Sequence, residues 1–507
     1  MLNKKITLSF ITILGLSSLH AYEMKPMGFK ATGMGGTGVA SSRGSMATYY
    51  NPALLGMSDY TSEISLNAGI GIRENKLVDA ADQINKLELS DSLSVLEDVN
   101  LTSIGTSIAL NSDNLTADQL KAVDNIEKSI NIIKLIPAAN GLQLLPSFSL
   151  SGQFSRYFAI GAYANIDLRA KMVIDKNRLG IIVKKDDGNL VKYDPDTNQI
   201  SLTALDSSYE SASLQYAMDN NKTYLNVSSI VSAEVPLSFA YPLETKNGLF
   251  SFGITLKPMS VETFSKDFYI GTDSGDIGDE YNQNKKTYSA FGVDLGVAYK
   301  EEKTGLILGL IGKNINAPSF KTEAVNGRVE EFTMDRYFRA GLSLPVWNDN
   351  IEFAVDADLQ QSDTSYEGMK SQYVGGGMEF HPASWFALRV GAMKNVAIES
   401  IDEGFIYTAG LGFGLKWLQF DLSAQASQKT GTYDGNEIPK YANVNFSLIS
   451  RWGDGYNRKV APVVKEEIVP LEAPATQEEP IKTLSPEDQE RIKKDSEKAF
   501  KELDQAI

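Results

Sequence analysis

Along most of the chain, apolar and polar residues alternate one by one. Ile64, Leu66, Ala68, Ile70 and Ile72 are interleaved with Ser65, Asn67, Gly69, Gly71 and Arg73. The same period recurs where Phe250, Phe252, Ile254 and Leu256 alternate with Ser251, Gly253, Thr255 and Lys257. It recurs again over 351–359 and 443–448. A period of two puts one set of side chains on each face of a β-sheet. The pattern predicts fourteen strands, near 61–73, 141–155, 158–170, 223–241, 248–264, 286–300, 304–316, 333–346, 350–361, 370–381, 385–397, 403–417, 418–430 and 438–452. Short connections near 155–157, 243–247, 301–303, 347–349, 381–384 and 417 alternate with long polar ones at 171–222, 265–285, 317–332, 362–369 and 431–437. An even strand number with connections of alternating length predicts an all-β, transmembrane, antiparallel up-and-down barrel with both termini at one end.

A soluble β-sandwich shows the same alternation, so the polar and aromatic positions must decide between the two. The four tryptophans, Trp347, Trp385, Trp417 and Trp452, all fall at expected short-turn ends. An aromatic girdle at one membrane–water boundary accounts for that, because a ring with a polar N–H is satisfied there; with the short turns periplasmic, it is the periplasmic girdle. The row facing inward holds Glu234, Asp294, Asp356, Asp358, Glu379, Arg389, Lys416 and Asp421. Charges of both signs in these numbers imply a polar lumen, since each unpaired one would be costly in a dry interior.

Export agrees with this reading. Lys4 and Lys5 precede an apolar run from Ile6 to Leu16, and Leu19-His20-Ala21 offers a cleavage point, which makes 1–21 a signal peptide. The chain has no cysteine, so an exported protein of 507 residues must be stabilised without disulfides. No apolar run after residue 21 approaches the ~18 residues of a membrane helix. A net charge of −16 with no basic stripe excludes nucleic acid as a partner.

Three segments do not read as wall. Residues 22–58 lie between the signal and the barrel, which spans 59–452. Within the barrel, 74–140 is a helical insert: Thr116 and Gln119 form a capping box, and Leu120, Val123, Ile126, Ile130 and Ile133 form an apolar stripe. Helices packing on each other as a cap are the plainer reading of this insert; a hydrophobic capture site at the entrance is the sharper one. After Trp452, a Pro/Glu-rich stretch at 453–484 reads as a periplasmic linker, and 485–507 as a charged helix.

The run Lys30-Ala31-Thr32-Gly33-Met34-Gly35-Gly36-Thr37-Gly38-Val39-Ala40, followed by Ala47-Thr48-Tyr49-Tyr50-Asn51-Pro52-Ala53-Leu54-Leu55-Gly56, resembles the start of the FadL-like outer-membrane barrels. That superfamily includes long-chain fatty-acid and hydrocarbon channels and a TraF-like conjugal transfer group. The resemblance implies a fourteen-strand barrel whose N-terminal segment folds into the lumen as a hatch. Gly33, Gly35, Gly36, Gly38, Asn51, Pro52 and Ala53 would then belong to a plug. The insert after the first strand and the extension beyond Trp452 fit the TraF-like group better than the fatty-acid transporters.

Other chemistry finds little support. Gly33, Gly35 and Gly38 satisfy a dinucleotide-binding spacing, but no strand, helix and acidic residue surround them as that site requires. Asp194, Asp196 and Asn198 begin like a calcium loop that fails at Gln199 and Leu205. Asp273, Asp276, Asp279 and Glu280 read as a solvated acidic loop. Once the signal is removed His381 is the sole histidine, at a turn, which does not favour a hydrolase or a zinc site. No catalytic residue, metal or cofactor is expected.

Two function classes remain. One is a passive channel for hydrophobic small molecules, favoured by the hatch-like motif and the apolar insert. The other is a TraF-like, non-transporting component of a conjugation or secretion apparatus, favoured by the tail. Expected partners are outer-membrane lipid and lipopolysaccharide, a hydrophobic ligand in the first case, and a periplasmic protein for the tail in the second. A continuous apolar path through the lumen would support transport, and a lumen closed by polar side chains the scaffold.

Overall fold

The structure is a computed structural model describing residues 23–58, 60, 62–101, 103–269, 274–321, 331–415, 417–453 and 485–504. The signal expected at 1–21, residues 454–484 of the expected linker, and Lys416 lie outside the described residues. The chain divides into two units, Met1–Tyr456 and Asn457–Ile507. The described part of the second is one helix, Pro486–Asp504, opened by Pro486 with Glu487 and Asp488 in its first turn, where carboxylates suit the helix N-terminus.

The first unit is built on a closed antiparallel wall. Its strands are β1 (Ser62–Asn75), β2 (Gly141–Gln153), β3 (Phe158–Val173), β4 (Tyr224–Glu234 continued by Leu237–Thr245), β5 (Gly248–Phe268), β6 (Lys286–Glu301) and β7 (Ile307–Lys313). They continue as β8 (Tyr337–Val346), β9 (Ile351–Asp358), β10 (Tyr373–Ala383), β11 (Phe386–Asn395), β12 (Phe405–Leu415), β13 (Leu418–Ser427) and β14 (Tyr441–Trp452). β1 pairs with β2 on one side and with β14 on the other, from Ser62 opposite Trp452 to Arg73 opposite Tyr441. The fourteen strands expected from the alternation are borne out. Closure leaves no edge, so every strand has a hydrogen-bonding neighbour on both sides.

The wall is interrupted at a point that the sequence reading missed. Residues 223–241 read as one strand, whereas β4 is interrupted at Val235-Pro236. Pro236 has no N–H to give the ladder. The neighbours bridge the gap: Val235 N donates to Pro258 O and Gly161 N to Pro236 O.

Burial is inside-out. Ile64, Phe148, Phe252, Phe353, Phe413 and Phe446 are exposed on the outer face, while Ser65, Asn67, Ser149, Asp294 and Ser447 are fully buried within. Such an apolar belt around a polar interior suits hydrocarbon, not water. Among the described residues, no helix is long and apolar enough to cross a membrane. All four tryptophans are exposed at the short-turn end.

At the opposite end, two long connections fold into one cap, which corrects the reading of 171–222 as a polar loop. The first supplies helices Val78–Lys86, Leu89–Glu97 and Ala117–Leu135; the second supplies strands Ile182–Lys184, Leu190–Asp194 and Gln199–Thr203. A strand at Ser107–Ala109, inside the insert read as helical, completes this four-stranded sheet. The insert's helices therefore do not pack on each other alone. Leu96, Val123, Ile126 and Ile133 share a core with Val183, Val191, Ile200 and Leu202. The capping box is present, with Gln119 N donating to Thr116 Oγ1 at 3.2 Å and Thr116 N to Gln119 Oε1 at 3.1 Å. Asp194 to Asn198 form a hairpin tip, where Asp194 accepts from the Asp196 amide.

Because this core lies apart from the wall, the cap can be unfolded selectively. Val123→Asp would place an uncompensated charge in it, at a cost of at least ~3 kcal/mol. Limited proteolysis should then cut within 76–140 and 175–222, while the wall keeps its heat-dependent gel mobility. Loss of that mobility shift would mean that the wall depends on the cap.

Candidate functional site

Residues 23–58 run through the barrel interior and are almost wholly buried. The segment is a string of short turns: Phe29–Gly33, Gly44–Met46, Ala47–Tyr50 and Pro52–Met57. Gly35 and Gly36, at φ 66° and 76°, make the reversal after the first of them, in a region side chains disfavour. Asn51 opens the last turn, its side chain accepting from Ala53 N at 3.1 Å with Pro52 in the first position. The Tyr50 phenol donates to Met27 O at 2.9 Å and accepts from Met27 N at 2.7 Å. Burial pushes its pKa well up, so it keeps its proton.

The segment is received by glycines on the inner wall. A Cβ on Gly253 would strike Ala53 N and Pro52, one on Gly296 would strike Asn51, and one on Gly309 the Val39 carbonyl. Further round, Gly377 and Gly391 receive Met34 and Gly35, and Gly410 lies against Gly33. Three pairs of these glycines face each other across neighbouring strands: Gly253 and Gly296, Gly309 and Gly341, Gly377 and Gly391. The absence of side chains on both partners lets backbone pack against backbone.

Polar wall groups then fix the register. Asp356 Oδ2 accepts from Gly38 N at 2.8 Å and Val39 N at 2.9 Å. Thr408 Oγ1 accepts from Gly35 N at 2.8 Å and donates to Gly33 O at 3.0 Å. Arg339 Nη2 donates to Gly36 O at 3.0 Å, while its Nε lies 3.3 Å from Asp356 and its Nη1 3.3 Å from Asp358. Asn51 Nδ2 donates to Val39 O at 3.1 Å and to the wall at Val297 O, 3.3 Å.

Three ionic groups close the remaining space. Towards the short turns, Lys30 pairs with Glu352 at 2.7 Å and Glu379 at 3.4 Å, and Arg43 with Glu352 at 3.0 Å. Arg389 joins them, bonded to Glu379 at 2.5 Å and to Asp421. Midway, Lys257 pairs with Asp294 at 2.9 Å and Glu234 at 3.8 Å, and Lys313 donates to Tyr49 O at 2.6 Å. Towards the cap, Arg73 pairs with Glu403 at 2.7 Å and Glu23 at 2.8 Å. There Tyr366, from the connection after β9, is inserted and donates to Arg73 O at 3.1 Å.

The structure thus places Glu234, Asp294, Asp356, Asp358, Glu379, Arg389 and Asp421 inside the barrel, each beside a cation or an anion of opposite sign. It gathers the seven plug residues against the wall. Sequence reasoning missed their counterparts, namely the wall glycines, Thr408, Lys30, Arg73, Arg339 and Glu403. Inward parity was the available signal for those on strands. His381 is not in the turn, as expected, but within β10. It shares the inward face with Glu379 and lies 2.9 Å from it. Among the described residues, no group of His, Cys, Asp and Glu could hold a metal ion.

Two spaces border the plug. An enclosed space of about 20 Å³ lies between Met24, Arg73, Arg339 and Tyr373, room for about one water. A vestibule of about 570 Å³ opens beneath the plug and is floored in part by Phe29, Lys30, Ser41 and Arg43.

An apolar-coated, fourteen-strand barrel whose bore is filled by its own N-terminal segment is a plugged membrane barrel. The family described as "F plasmid transfer operon, TraF, protein" matches residues 48–358, more than half of the chain, and the chain belongs to it. The resemblance to the TraF-like group of the FadL-like barrels is thereby borne out. Among solved structures it is similar to the toluene transporter TbuX of Ralstonia pickettii, at 12% identity and TM-score 0.43, over 86% of this chain and 100% of that one. It is similar also to the CymD monoaromatic hydrocarbon channel (12%, 0.42, 85% and 99%) and to the toluene transporter TodX of Pseudomonas putida (12%, 0.40, 86% and 99%). No curated protein matches the chain in sequence.

Proposed function

We propose that this chain is an outer-membrane barrel that transports nothing in its resting form and serves as a component of a conjugation or secretion apparatus. The observation that carries the reading is the closed bore: residues 23–58 fill it, and buried ion pairs lock them to the wall. Buried charged side chains, Arg73, Arg339, Lys257 and Arg389 among them, line the bore along its length. The apolar stripe of the insert, the sharper candidate for hydrophobic capture, is consumed in the core of the cap. The family's description points to plasmid transfer. In this reading the short turns and both termini are periplasmic, the four tryptophans sit at the periplasmic lipid boundary, and the cap faces outward among lipopolysaccharide.

The competing role, a passive channel for hydrophobic molecules, requires the plug to leave or rearrange. Bilayer conductance and liposome uptake of toluene by the purified protein separate the two. The expected result is no steady conductance and no uptake above protein-free liposomes. Steady conductance or saturable toluene uptake by the unaltered chain would replace this reading with the channel.

A further inference from the structure

We infer that the vestibule at the short-turn end is a docking pocket for an acidic segment of a partner protein. The inference deepens the proposed function and rests on it in one respect: a periplasmic partner requires the short turns to face the periplasm.

The first ground is charge. The chain carries −16 overall, yet the vestibule is lined by six basic side chains and four carboxylates. Four of the six are already engaged: Lys30 and Arg43 on Glu352, Arg389 on Glu379, and Arg451 on Glu63 at 2.8 Å. Lys300 and Lys303 are not. Among the described residues neither has a carboxylate within ion-pair distance, and both lie on the rim where β6 runs into its turn. With Asp349 the one lining carboxylate that has no ion pair among the described residues, these two ammonium groups leave the lining with two more basic side chains than carboxylates, six against four. Such a mouth attracts anionic chains and repels most of this protein's own surface.

The second ground is independent of charge. Ser41, in the plug, lines the vestibule and is 1% exposed, and its hydroxyl has no hydrogen-bond partner. A buried hydroxyl left without a partner is unfavourable, and an entering carboxylate would accept from it. The floor thus offers a donor and the rim two cations.

Size selects the source of the carboxylates. A space of about 570 Å³ far exceeds what one carboxylate or one phosphate fills, and the lysines stand apart from Ser41, at the opening. An extended peptide carrying several acidic residues can reach the floor and the rim together, while a free anion satisfies one at a time. A partner seated there would touch the plug itself, through Ser41, and not merely the wall.

The test is the binding of a fluorescently labelled deca-glutamate peptide to the purified full chain in detergent, read by anisotropy. We expect saturable binding that weakens with added salt. Lys300→Gln with Lys303→Gln should raise Kd about tenfold, two partly exposed ion pairs being worth that much together. Ser41→Ala should raise it about threefold. The cap variant Lys121→Gln/Lys128→Gln should change nothing. Folding of each variant is checked by heat-dependent gel mobility. Absence of saturable binding, or binding that the rim variants leave unchanged, would overturn the inference. So would equal loss in the cap variant, which would mark the attraction as non-specific. Displacement by inorganic phosphate at the peptide's own concentration would also overturn it, by reducing the pocket to a simple anion site. None of these outcomes bears on conductance, so the docking pocket and the closed-barrel function stand or fall separately.

Discussion

A barrel carrying Gly253→Leu and Gly309→Leu will assemble and then conduct ions. Both glycines face the lumen, and the three atoms nearest each absent side chain belong to the plug. A Cβ at position 253 would lie 2.8 Å from Pro52 Cβ, and one at 309 would lie 3.0 Å from the Val39 carbonyl carbon. Four added carbons at each site must displace something. The wall strands are hydrogen-bonded on both sides, whereas the plug is held by a few side chains, so the plug gives way. Overpacking of this kind costs ~1–3 kcal/mol per site, and two sites acting on one short segment add. The measurement is conductance in planar bilayers, beside the heat-dependent gel mobility that reports an intact wall. Stepwise opening in the double variant and silence in the unaltered chain are expected. A folded but silent variant would mean that the wall bows outward instead and that the seal is more robust than its contacts suggest.

Arg389→Met is expected to have the largest effect on stability. The guanidinium lies between Glu379 and Asp421 and stacks over Phe29, 4.7 Å from the ring centre. Methionine keeps much of the volume but leaves Asp421 buried without its cation and Glu379 with Lys30 alone at ion-pair distance besides His381. Breaking a buried pair from one side costs ~3–5 kcal/mol, which a urea titration followed by gel mobility would register as an earlier midpoint. Adding Glu379→Gln and Asp421→Asn should recover most of the loss, since it is the stranded charge that destabilises. A loss below ~1 kcal/mol would show that water from the vestibule screens the site as it would a surface pair.

The wall was legible because lipid enforces the pattern at every strand. Phe250, Phe252 and Ile254 must face hydrocarbon, and Ser251, Gly253 and Thr255 must not, so each strand announces itself in its own residues. Val235-Pro236 was passed over because the alternation continues through it; only the missing N–H interrupts the ladder. The plug was legible as a segment, through Gly33 to Gly38 and Asn51-Pro52-Ala53, but its seat was not. Gly253, Gly309, Gly377 and Gly391 are scattered over four strands, and a glycine in a strand looks like a weakness until the backbone it receives is known. The cap was misread for a related reason. Its strands Ile182–Lys184, Leu190–Asp194 and Gln199–Thr203 are too short to show a period, and the helices that bury them lie some 50 to 110 residues earlier in the chain. His381 was placed in a turn because Pro382 follows it, yet in β10 it keeps the inward parity of Glu379.

The cap draws on the connection between β1 and β2 and on that between β3 and β4, and these four strands are consecutive around the wall. A single apolar core therefore ties together the far ends of two hairpins, like a brace nailed across adjoining staves of a cask. Splaying that quarter of the rim would mean pulling Val123 and Ile126 away from Val191 and Ile200. Among the described residues the connections of the other ten strands meet in smaller clusters, in one of which Tyr366 and Ile401 pack with Ala139 of the first connection. The rim is therefore braced most heavily across β1 to β4, where the core of the cap lies.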